Sequence, residues 1–275
     1  MQKLLQSPAV RKIPWQKISY LVAGSFLIAW LLNTPEGLLG KADAIGYAVC
    51  HRIDLRSFHL GERQFSLCAR CTGQYLGAVL GFVYQLAMGR RRAGRPPWGV
   101  LAVLGALVLV WAVDGFNSFL HLRPELFSRY YIYDPDNTYR VLTGTGLGLG
   151  LSVMLLPAFH QTVWRRWNSK PALSGFASLG GMLALGLILA FLALTENPLI
   201  LYPLALASTA GVLVILTLVY TMVWVMLFRL ENRFDSLKEL AFPLVAGFTT
   251  ALAQIALLDF LRYLLTGTWD GFHFG

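Results

Sequence analysis

The stretch WGVLAVLGALVLVWAVDGFNSFL, residues 98–120, decides the class of this protein. Its first sixteen residues, up to Val113, carry no charged side chain. A helix of about 20 such residues, rising about 1.5 Å per residue, crosses the hydrocarbon core of a bilayer. The run then meets Asp114, an ionisable group near a membrane surface, where such residues are paired or functional.

Working outward, six more apolar stretches are long enough to consider: 18–32, 72–88, 141–159, 172–194, 199–228 and 240–265. The fold class expected is therefore all-α, a polytopic transmembrane helical bundle of about seven spans. The first stretch is short for a span, and the sixth is long enough to tilt. Composition agrees: the 275 residues are 56% hydrophobic and only 13% charged, against about 45–50% and about 25% in soluble domains. A soluble globule, a disordered chain, a collagenous chain and a small disulfide knot are excluded together.

The net charge of +9 would suggest nucleic acid in a soluble protein, but its placement argues otherwise. Fourteen of the 23 Lys/Arg residues and three of the 14 Asp/Glu residues fall in segments on one side of the span map, giving that side +11 and the other −2. The positive-inside rule then places the N-terminus in the cytoplasm and the C-terminus outside, in a multi-pass protein of the cell (inner) membrane. The cluster RRRAGR, residues 90–95, directly follows an apolar run and reads as a topology anchor facing anionic lipid. The partner expected is the lipid bilayer, not nucleic acid. A small-residue site, Ala42-Asp43-Ala44, lies some twelve residues past the first apolar run, too far for signal-peptide cleavage, so that run reads as a retained anchor.

Small residues mark close helix approach. Gly73, Gly77 and Gly81 recur every four residues and form one smooth helical face. The fourth stretch opens with TGTGLGLG, residues 143–150. No strand precedes it, so it reads as packing or as a flexible start to the helix, and no nucleotide is expected.

All three cysteines, Cys50, Cys68 and Cys71, fall within one segment, with His51 directly after the first. Three readings fit. Cys50, His51, Cys68 and Cys71 suffice for a tetrahedral Cys3His site holding zinc or iron, with His59 as a substitute should the adjacent Cys50 and His51 diverge. Alternatively, Cys68 and Cys71 form a redox pair at a helix start, where the dipole and Arg70 lower a thiol pKa. The third reading is a structural disulfide with a spare thiol, in keeping with an oxidising exterior. Covalent haem is not expected, because the box continues Cys71-Thr72 rather than Cys-His.

The segments CHRIDLRSFHLG (50–61) and FSLCARCTGQYLG (65–77) resemble the signature of an uncharacterised family of bacterial and archaeal integral membrane proteins with a CH…RSF…CxRCTGxYxG pattern. A later DG element, Asp114 and Gly115, and an N-x-x-R-x-x-TG element, Asn137, Arg140, Thr143 and Gly144, extend the resemblance over roughly 43–155. Where the family often has Gln, this chain has Arg52 and Asn117. The resemblance implies a grouping and no activity. The chain thus divides into a basic cytoplasmic tail (1–17), a family-like membrane region (18–160) with an outer Cys/His loop (33–71), and a C-terminal membrane region of three spans (161–275).

Under this topology the Cys/His segment, Asp114 and Arg140 share one membrane face. Asp114 and Arg140 either pair as ions or form the wall of a site. Arg56, Arg63 and Arg70, with His51 and His59, make the outer loop locally basic; they suit a small anionic ligand or a lipid phosphate, or else are solvated loop charges. The cavity-lining or anion-binding candidates are Arg56, Arg70, Asp114, Asn137, Arg140 and Thr143. Asp259 and Arg262, three apart on a helix, read as an internal pair, and His160 and Gln161 as a helix end without chemistry. Three functions stay open: an outer-face metal site; a thiol-disulfide oxidoreductase or lipid-phosphate enzyme; and a transporter or structural membrane protein. No catalytic residue is assigned.

Overall fold

The computed structural model describes residues 15–121 and 130–271, so most of the basic tail lies outside the described residues. The described chain is mostly helical. Helix α1 (Trp15–Asn33) is followed by α2 (Gly37–Val49), a hairpin β1 (Ser57–Leu60) and β2 (Arg63–Cys68), then α3 (Ala69–Met88), α4 (Trp98–Leu120), α5 (Asn137–Val163), α6 (Phe176–Leu194), α7 (Pro198–Leu227) and α8 (Leu237–Thr266).

The helices begin where short polar side chains can accept the first free N–H groups. Asp136 accepts from Thr138 and Tyr139 ahead of α5, and Asn197 accepts from Leu199 with Pro198 in the first position of α7. Ser236 accepts from Glu239, whose carboxylate accepts the Asp235 N–H, closing a reciprocal cap on α8. At its other end α8 stops at Gly267, which takes the left-handed conformation (φ 70°).

Five helices, α4 to α8, are long and apolar enough to cross a membrane, or six if the pair α1 and α2, bent by 102°, counts as one broken span. The sequence expectation was about seven. Pro35, in the connection, stands where the chain turns between α1 and α2. Gln74, Gln85 and three glycines dilute the apolar content of α3, which packs against α5, α6 and α7.

Helices α3 and α5 form the central pair, and glycines explain their closeness. A Cβ on Gly77 would lie 2.5 Å from Thr145 O, and Cβ atoms on Gly144 and Gly148 would overlap the backbone oxygens of Arg70 and Gln74. The glycine runs of both helices therefore serve packing. Helix α4 lies on α5, α6 also packs on α5, and α8 packs on α7.

Three basic connections meet at one end of this bundle. The Ala93 N–H donates to Asn168 O at 2.8 Å, the Arg165 N–H to Phe234 O at 2.9 Å, and Arg165 pairs with Asp235 at 2.7 Å. The cysteines lie at the opposite end, because α3 and α5 start there and α4 ends there. That end also holds the antiparallel hairpin, a departure from an all-α expectation. Gly61 (φ 63°) turns it, and Ser57 stands opposite Cys68. Phe58 and Phe65, both fully buried and edge-to-face at 6.2 Å, hold the hairpin on Ala193, Leu201 and Ala205 of the bundle.

Candidate functional site

The hairpin returns Cys68 to the loop that carries Cys50, and α3 begins at once, so Cys71 sits in its first turn. The three sulfurs lie within 4.8 Å of one another. All three are free thiols, with Cys50 buried and the other two half-buried. Cys50 Sγ accepts the backbone N–H of Cys68 at 3.3 Å and that of Arg52 at 3.4 Å. Backbone N–H groups only donate, so both contacts favour electron density on that sulfur. Hydrogen bonding from Cys50 and Cys71 holds the Cys68 thiol well below the ordinary range, with a further contribution from the Arg70 charge. Its proton-donating partner Cys50 is correspondingly pushed up to about 12, chiefly by that bond and then by burial. Within the cluster, ionisation is therefore easier at Cys68 than at Cys50 or Cys71.

The loop is held from three directions. Arg262, at the end of α8, donates to Tyr47 O and Cys50 O, both at 2.6 Å, and to His51 O at 3.3 Å, with its guanidinium 4.0 Å from the Tyr47 ring centre. Gln64 Nε2 donates to Arg52 O at 2.7 Å and to Ser57 Oγ at 3.0 Å. Asp43 on α2 accepts from Ser66 Oγ at 2.7 Å, lies 3.4 Å from the Arg52 guanidinium and pairs with Arg63. Arg262 therefore serves the cysteine loop, and its hydrogen bonds go to backbone carbonyls rather than only to the i, i+3 pairing with Asp259 read from the sequence. The carboxylate oxygens of Asp259 are buried without a hydrogen-bond partner among the described residues.

A cavity of about 620 Å³ adjoins the sulfurs, walled by Cys68, Cys71, His51, Arg56, Arg70 and Arg140 on its polar side and by Ile53, Trp111 and Phe119 on its apolar side. His51 lines this space and is not among the three residues whose ligand atoms converge. His59 lies away on the hairpin, where it meets Asp54 at 2.9 Å.

Asp114 is buried to 1% exposure, and its ionic partner is Arg70, not Arg140. Arg70 Nε donates to its Oδ2 at 3.0 Å, while Arg70 Nη2 reaches the same oxygen, the Asp114 backbone O at 3.1 Å and Ser118 Oγ at 2.8 Å. Tyr133 donates to Asp114 Oδ1 at 2.7 Å, and Thr143 to Oδ2 at 3.2 Å. Burial first, and then this bond, push the Tyr133 hydroxyl up to about 12. Asn117 clamps the loop that brings Tyr133 in, accepting the Ile132 N–H at 2.6 Å and donating to Tyr133 O at 2.8 Å.

With Asp114 committed to Arg70, two cavity guanidiniums, those of Arg56 and Arg140, make no carboxylate ion pair among the described residues. Arg56 Nη2 donates to Ser118 O at 2.7 Å, and Arg140 Nη1 to Asn137 Oδ1 at 2.9 Å. Asn137 in turn donates to Ser57 O at 3.3 Å, joining α5 to the hairpin. Burial, reinforced by the like charges of Arg140 and Arg70, lowers Arg56 to about 10.

Apart from His59 and Arg63, which pair with Asp54 and Asp43, the sequence-predicted site residues thus lie in or beside one constellation: the sulfurs, the cavity arginines with His51, and Asp114, Asn137 and Thr143. Sequence reasoning gave no site role to Ser118, Trp111, Phe119, Tyr133 or Arg262. Ser118 had a signal, standing four residues past Asp114 on the same helical face. Arg262 had none, because its partners are backbone carbonyls about 210 residues away.

A family described as "Predicted membrane protein (DUF2085)" matches residues 50–154, a segment that begins at Cys50 and takes in all the residues of the constellation except Arg262. An uncharacterized protein of Methanothermobacter thermautotrophicus is 32% identical over 108 residues, covering 38% of this chain and 83% of that one. An uncharacterized protein of Methanocaldococcus jannaschii is 25% identical over 127 residues, covering 46% and 72%. No solved structure matches the chain.

Proposed function

The chain belongs to the DUF2085 family of predicted membrane proteins, and on that premise we propose that it is a multi-pass protein of the cell membrane with a metal centre, zinc or iron, on Cys50, Cys68 and Cys71. The observation that carries this reading is the convergence of the three sulfurs within 4.8 Å. Thiolates about 2.3 Å from a tetrahedral ion stand about 3.8 Å apart, so a small closure suffices to bind one. The two N–H groups on Cys50 Sγ are the kind of outer-shell contact that orients a ligating sulfur and offsets its charge. Three protein ligands leave a fourth position, which in this reading faces the cavity. His51 fills it, or it stays open to a ligand from the cavity, the arrangement of a reactive rather than a closed structural site. By the excess of Lys and Arg at the other end of the bundle, the centre faces the outside.

Elemental analysis of detergent-purified wild type against Cys68→Ser and Cys71→Ser tests the reading. One equivalent of metal in wild type and little in either variant is expected; equal, near-zero metal in all three refutes it. His51→Ala separates the two versions of the fourth position, since affinity falls only if the imidazole is a ligand.

A second reading has its own observation, the low-lying Cys68 thiol beside free Cys71 at a helix start. A dithiol of this kind cycles with a disulfide. Thiol trapping at controlled potential tests it, and cysteines that never change state argue against it.

A further inference from the structure

We infer that the cavity beside the cysteines binds a phosphate-type oxyanion, held by Arg56 and Arg140 with Arg70 behind them. The inference does not rest on a metal at the sulfurs.

Charge is the first ground. Three guanidiniums border one cavity, and among the described residues the one ion pair they make is that of Arg70 with Asp114. No guanidinium hydrogen bond to a sulfur occurs among the described residues, so the donors of the arginines are not taken by the thiols, although the charge on Cys68 is felt by Arg56, Arg70 and Arg140. Donor supply is the second. Arg140 is 5% exposed, and its Nε has no hydrogen-bond partner among the described residues. The buried Trp111 Nε1, on the same cavity wall, has none either. Burying such donors is costly unless something accepts from them. An oxyanion offers several acceptor oxygens and matches the planar fork of arginine.

Positioning is the third ground. Asn137 Oδ1 accepts from Arg140 and Ser118 O from Arg56, so each guanidinium has one fixed contact and further N–H groups to offer a ligand. The volume also exceeds what one oxyanion needs. The remainder is apolar, walled by Ile53, Trp111 and Phe119, and Phe119 is exposed on the outward face of α4. The shared chemistry is a phosphate group, whose source is either a lipid headgroup or free phosphate.

The test is calorimetric titration of purified protein with inorganic phosphate, with dihexanoyl phosphatidic acid, and with dihexanoylglycerol as the phosphate-free control. Phosphatidate binding that inorganic phosphate displaces supports the site and identifies lipid as the source. Saturable binding of inorganic phosphate alone supports it with free phosphate as the source. Absence of both, or equal binding of dihexanoylglycerol, overturns it. Arg140→Gln and Arg56→Gln should each weaken binding about tenfold or more, whereas Arg63→Gln, which removes the partner of Asp43 on the hairpin, should not. Equal effects of all three overturn the assignment. Binding kept in Cys71→Ser supports the arginines as the site, and binding lost there overturns it. Should a variant fail to fold, wild type still decides: phosphate must shield Arg56 and Arg140, but not Arg63, from phenylglyoxal.

Discussion

Arg70 and Asp114, 44 residues apart in sequence, meet through both a side-chain fork and a backbone carbonyl: Arg70 Nε donates to Asp114 Oδ2 at 3.0 Å and Nη2 to Asp114 O at 3.1 Å. The contact ties the start of α3, which carries Cys71, to the end of α4, which walls the cavity. It also engages the buried carboxylate that would otherwise be shared with Arg56 and Arg140.

Breaking this pair should cost more than its net worth, because it strands a buried charge. Asp114→Asn is expected to destabilise the protein by about 3 kcal/mol. Thermal unfolding in detergent reads this as a lower Tm, and Arg70→Lys, which keeps the charge but loses the fork, should fall in between. An unchanged Tm in Asp114→Asn would show that the pair is not structural.

The α3–α5 seam leaves no room for a methyl group. Gly148→Ala, whose Cβ would overlap Gln74 O, should destabilise by about 1–3 kcal/mol. Gly105→Ala on α4, where nothing lies within 4 Å, should be neutral or mildly stabilising. The comparison of the two Tm values fails if they move together.

Asn117 is the clamp on the loop that delivers Tyr133 to Asp114. In Asn117→Ala the Ile132 amide loses its acceptor, a loss worth about 1 kcal/mol, and should exchange with deuterium several-fold faster. Amides in the middle of α7 should not change. Unaltered exchange at Ile132 would mean that other contacts hold the loop.

Orientation has a direct readout. A membrane-impermeant maleimide applied to intact cells should label Glu62→Cys in the hairpin turn, while Arg229→Cys should react only after permeabilisation, each against the wild-type background. The reverse pattern would invert the topology drawn from the charges.

The glycines show how far local reading reaches. Their four-residue spacing in 73–81 announced a packing face, and α5 does press on it, because an unbranched periodic surface has one natural use. Asp114 shows where it stops. Its depth and cost were legible, but the pairing read for it was with Arg140, whereas its partner is Arg70, a residue of the same type on the same membrane face. The choice depended on the α3–α5 spacing, which no single helix encodes. The hairpin was hidden for a different reason, since its two strands are too short to print a period on a chain dominated by helices.

By itself the sequence determined the solvent of this protein and the gathering of its chemistry. Long uncharged runs can satisfy their backbone in lipid only as helices, and three cysteines in one segment have little choice but to share a neighbourhood. Only the tertiary structure decided which charges cancel. Ionic pairing depends on ångström-scale approach between elements, set here by glycine contacts and a phenylalanine-anchored hairpin. That packing gave Asp114 to Arg70, Arg262 to the carbonyls of the cysteine loop, and left Arg56 and Arg140 facing a cavity with charge to spare.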